Sequence, residues 1–123
     1  MEQDTPIHTQ RWLTDKILVQ LYAGLYYEKQ GKKILAAQLI QGQAVNNLLD
    51  LIGEIEKDGW ADTDSQNVKK RFESRIQKSE TELANFIQGY ARNYESARAI
   101  LSFLEKHFVI NRELAQAICS LGI

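Results

Sequence analysis

A chain of 123 residues that is 44% hydrophobic has the size of one compact domain, large enough to bury a single core without metals or disulfides. Its 15 basic and 16 acidic residues leave a formal charge of -1, so no whole-molecule field draws it onto a phosphate backbone or an anionic membrane. The lone Cys119 cannot form an internal disulfide, no apolar run approaches the roughly 18 residues of a membrane span, and the polar, acidic stretch Met1 to Ile7 does not read as a secretory signal. A single helical domain over 1–123 in the reducing cytoplasm is the expectation.

Pro6 is the only proline, and alternating apolar patterns are scarce, so the chain reads as all-α: a bundle of four or five helices. Thr5 followed by Pro6 predicts an N-cap with proline in the first turn, where its missing N–H costs nothing. Helix one then runs to about Gln30, and Gly31 is free to take the left-handed conformation that ends it. Leu13, Ile17, Leu21 and Leu25 make one stripe along this helix, and Trp12, Val19, Tyr22 and Tyr26 make a second beside it. A peripheral helix needs only one stripe. The second either packs into the core of a sandwiched helix or anchors a partner interface.

Helix two is predicted from about Lys32 to Lys57, closing at Asp58-Gly59. Its inward series is Ile34, Ala37, Gln41, Ala44, Leu48, Leu51 and Ile55, with Leu35, Leu39, Val45, Leu49 and Ile52 on a flank. So wide an apolar circumference predicts a central position. The stretch Gly24 to Gly31, followed by Ala36 and Ile40, resembles the helix-turn-helix of a single tetratricopeptide repeat, with glycine, tyrosine, turn glycine and alanine at that family's spacing. Gln20, Ala23 and Gln43 depart from the pattern where the family has a large residue early and an alanine late. The resemblance implies peptide or protein binding. Helix two is longer than a repeat helix and an array needs neighbours to bury its faces, so a plain helical hairpin is the reading retained.

Trp60 sits in an acidic turn with Asp58, Asp62 and Asp64, either folded back on the core or standing out as a binding anchor. Thr63-Asp64-Ser65-Gln66 fits a capping box that opens helix three. From Val68 to Phe108 a stripe runs through Phe72, Ile76, Ser79, Leu83, Ile87, Tyr90, Tyr94, Ala97, Leu101 and Leu104. An unbroken helix of that span would be about 60 Å long, against a breadth of about 35 Å for a globule of this size. It therefore breaks, or it is one long helix shared in a homodimer. Ser79 to Glu82 is one break point; the favoured one is Gly89 to Ser96, with Asn93 as a left-handed cap and Ser96 as a fresh N-cap. A last helix is expected from about Asn111 to Ser120, ending at Gly122.

Chemistry is harder to find. His8, His107 and Cys119 lie far apart, with no paired ligand spacing, and no glycine-rich phosphate loop occurs, so no cofactor or metal is expected. Arg98 and His107 are too widely separated for a helical-RNase pair, and His107 is expected to complement the dipole at the end of its helix. Lys69, Lys70, Arg71, Arg75 and Lys78 are the densest basic cluster, a phosphate-binding face or a solvated surface balanced by Glu73, Glu80 and Glu82. The C-terminal helix and turn stop where a recognition helix would follow, which argues against base readout there. The expectation is a non-catalytic protein-binding module, with Trp12, Val19, Tyr22, Tyr26 and Trp60 as partner-binding residues and another protein or a second copy as the partner. A nucleic-acid-associated subunit using Lys69, Arg71, Arg75 and Lys78, and an enzyme with an unrecognised site, are the alternatives.

Overall fold

The computed structural model describes residues 6–59 and 83–123, with side chains over 10–53 and 83–123. Every regular element among the described residues is helical. α1 is Pro6–Lys29, α2 is Lys33–Ala37, a π-helical stretch covers Gln38–Ala44, and α3 is Val45–Gly59. Residues 83–86 are helical, Tyr90–Arg92 form a 3-10 turn, and α4 (Asn93–His107) and α5 (Arg112–Cys119) follow.

The helix ends follow local stereochemistry. Gly31 closes α1 at φ 83°, a conformation that side-chain-bearing residues seldom adopt. Asn111 caps α5 by accepting the Leu114 N–H at 3.0 Å, and Gly122 ends it at φ 120°. His107 is the last residue of α4.

The predicted second helix is present as a near-continuous rod from Lys33 to Gly59, but its inward register is not uniform. Ala44, Leu48 and Leu51 are buried as expected, whereas Ala36 just before the π stretch and Ile40 within it face the core in place of Ala37 and Gln41, and Ile34 stands in solvent. A π turn takes one more residue than an α turn, so the wheel read backward from Leu48 slips by one position across Gln38–Ala44. Leu35 and Leu49 on the flank are exposed as well. The central element is α1 rather than this rod: it packs against α2, the π stretch, α3, α4 and α5.

The favoured break near Gly89 is present, with different actors. Gly89 takes the positive φ, 115°, while Asn93 is right-handed at φ -63° and buried as the first residue of α4. Ser96 lies inside α4, where its Oγ accepts the Gln88 N–H at 3.1 Å. The break rotates the stripe, so Ile87 and Tyr90 are exposed and Phe86 and Ile100 are buried. Over residues 83–108 there is thus no single long helix to share between copies. Phe72, Ile76, Ser79 and the Thr63 capping box lie outside the described residues.

One core joins these pieces: Leu13, Ile17, Leu18, Leu21 and Leu25 from α1 meet Ile40, Leu48 and Leu51, then Ile100, Leu101 and Leu104 of α4 and Ile118 of α5. Phe86 adds an edge-on contact with Phe103 at 5.5 Å between ring centres. Gly24 permits the closest approach. A Cβ there would stand 2.5 Å from Ile40 Cγ1 and 3.4 Å from the Ala36 carbonyl oxygen, so the rod lies directly on the α1 backbone.

Candidate interaction face

α1 has two sides with different jobs. Its buried residues span Leu13 to Glu28 on one side. On the other, Trp12, Val19, Tyr22 and Tyr26 are 61%, 55%, 38% and 51% exposed. At 100° per residue these four fall within about 80° of arc and extend along about 21 Å of helix. The second stripe of helix one is exposed, although α1 is the most embedded helix, because its neighbours among the described residues approach from the other side.

The face is ordered by its own chemistry. The Lys16 ammonium sits 4.7 Å from the centre of the Trp12 ring, and the Tyr26 ring meets Tyr27 edge-on at 6.3 Å. Tyr27 is partly buried against the core and receives the Lys32 ammonium at 5.8 Å. Exposed aromatic and aliphatic side chains totalling on the order of 400 Å² are within the range of the largest patches on monomeric proteins, which are often functional. Trp60 lies outside the described residues, as do Lys69, Arg71, Arg75 and Lys78.

A polar cluster that the sequence did not signal fixes the far end of α1. The Glu28 side chain is only 6% exposed; Lys33 donates to its Oε2 at 2.7 Å and Asn93 Nδ2 donates to its Oε1 at 2.9 Å. Gln41 Nε2 donates to Asn93 Oδ1 and to the Gly89 carbonyl, both at 2.7 Å, while the Gly89 N–H donates to Gln41 Oε1 at 2.9 Å. Burial by itself would raise the Glu28 carboxyl, but hydrogen bonds from Lys33 and Asn93 and the Lys33 charge outweigh it and hold the group below its ordinary value of 4.5. The hydrogen bond and charge of Glu28 raise Lys33 above 10.5 in return. The cluster ties the Gly31 turn, the π stretch and the Gly89 break together. Its polar atoms are occupied by one another. A second set, in which Asn47 Nδ2 donates to Gln20 Oε1 at 2.8 Å and Gln20 Nε2 donates to Gln43 Oε1 at 3.3 Å, joins the middle of α1 to the rod.

Two open grooves among the described residues share His107. One of about 480 Å³ is lined by Gln10, Arg11, Thr14, His107, Phe108 and Val109; the other, of about 300 Å³, includes Phe86, Phe103, Lys106 and His107. The His107 ring packs 4.4 Å from Phe103, centre to centre. Among the described residues no three His, Cys, Asp or Glu side chains are grouped as metal ligands would be, and no helix is long and apolar enough to cross a membrane. Compared with known proteins, the chain matches no family model, no curated protein and no solved structure.

Proposed function

We propose that this chain is a non-catalytic protein-binding module of adaptor, inhibitor, immunity or chaperone type, a helical bundle that works by covering a partner's surface. Trp12, Val19, Tyr22 and Tyr26 carry the proposal: they stand together, exposed in part or in the main, on the helix best anchored to the core. Aromatic side chains held on a rigid backbone lose little conformational freedom on docking, which is why they dominate binding hot spots. Association through this face buries apolar area without any change in the core, so the action is steric and needs no cofactor.

Affinity purification from the native host tests this. Wild-type protein is expected to retain a partner that the Tyr22→Asp/Tyr26→Asp variant loses while its helical circular dichroism is unchanged. Retention of the same partner by the variant overturns the proposal.

A further inference from the structure

The rod from Lys33 to Gly59 has two inner faces available to it. With the π stretch in place, Ala36 and Ile40 continue the buried line of Ala44, Val45, Leu48 and Leu51. Projected back from those four at 100° per residue, an uninterrupted α-helix instead sets Ala37 and Gln41 within about 30° of that line and Ile34 within about 50°, and turns Ile40 and Ala36 about 70° and 110° away. We infer that Lys33 to Ala44 is a two-register element, held in the π register by a latch of Gln41, Gly89 and Asn93. Release of the latch lets the π stretch pass to α-helix and turns α2 by about 110° against α1. The switch works on the inner side of α1 and is independent of whether its outer face binds a protein.

Apolar burial does not distinguish the registers. The π register buries one isoleucine and one alanine, Ile40 and Ala36; the α register takes one of each in Ile34, now 64% exposed, and Ala37. A switching element needs such a match between two packings of one sequence. Gln41 breaks the tie. In the α register its amide turns onto the core, where a polar group without partners is costly. In the π register the same amide donates to the Gly89 carbonyl and to Asn93 Oδ1 and accepts the Gly89 N–H.

Asn93 ties down the start of the element as well as its middle. Its Nδ2 donates to the Lys33 carbonyl at 3.3 Å, and the Lys33 ammonium is pinned again on Glu28. These contacts stop α2 from turning while Gln41 is held. Ile40 seated on Gly24 also favours the π register, but a glycine surface has no side chain to clash with and accepts either face of the rod. The Gln41–Gly89 hydrogen bonds lie in solvent, so the latch can be reached from outside the fold.

Thiol labelling of single cysteines reads the register, in a Cys119→Ser background because Cys119 is an exposed thiol. With Gln41 intact, Ala36→Cys is expected to be protected and Ala37→Cys, at a half-buried position, to react. Gln41→Leu removes the latch and supplies an apolar side chain for the α register. The order is then expected to reverse, with the ratio of the Ala36→Cys rate to the Ala37→Cys rate rising about tenfold or more. An unchanged ratio in a folded Gln41→Leu overturns the inference. So does faster labelling at both sites together, which marks local opening of the rod rather than a turn. Should Gln41→Leu not fold, Gln41→Ala, which removes the latch without adding bulk, is read in the same way: a reversed order supports the switch, and an unchanged one overturns it.

Discussion

Asn93 donates to a buried carboxylate from 65 residues away, and its loss leaves Glu28 Oε1 without that donor in a site that water barely reaches. Asn93→Ala is expected to cost about 2–3 kcal/mol in denaturant unfolding, more than the exposed neighbour Arg92→Ala. Because the Glu28 carboxyl is held below 4.5, the stability it contributes is complete above that value and is lost as pH falls through the lower folded value. Glu28→Gln should therefore flatten the acid limb of the stability profile measured between about pH 5 and pH 2. At the alkaline end the sign reverses. The raised Lys33 contributes stability below 10.5 that disappears as pH rises through its folded value. Two glycines give an opposed pair. Gly24→Ala drives a methyl against Ile40 and should destabilise by about 1–3 kcal/mol, whereas Gly53→Ala, with open space around it, should stabilise by about 0.5–1 kcal/mol. Thermal unfolding of both reads the difference, and equal shifts contradict the close packing at Gly24.

At the scale of elements, what was legible in the sequence is what is local. Pro6 in the first turn of α1, Gly31 at its end, Asn111 before α5 and Gly122 after it each act within a few residues, so their signals survive without knowledge of the fold. The register of Ala36 and Ile40 was not legible, because a helical wheel assumes one period and the π stretch supplies another. Asn93 was misplaced for a different reason. As a short polar side chain beside a glycine it reads as a cap, and only Glu28, Lys33 and Gln41 arriving from other helices make it an interior residue. Gly89 carries the break itself: its φ of 115° has no room problem, so Gly89→Ala pays only in backbone strain, about 1–2 kcal/mol, with helix content intact. An unfolding free energy unchanged in Gly89→Ala contradicts that assignment.

Across the whole molecule, α1 acts as a spine whose inner side meets α2, the π stretch, α3, α4 and α5. Its outer side was legible as a surplus stripe, but the sequence could not say whether a neighbour covered it, since that depends on which side the neighbours approach from. The measurement closest to the central claim is equilibrium denaturation of Tyr22→Asp/Tyr26→Asp, followed by circular dichroism at a concentration where the chain is monomeric. A face reserved for binding predicts an unfolding free energy within about 1 kcal/mol of the wild type, because substitutions in solvent cost little. A loss of about 4 kcal/mol or more, the scale of removing buried aromatic side chains, contradicts it and returns the tyrosines to the core.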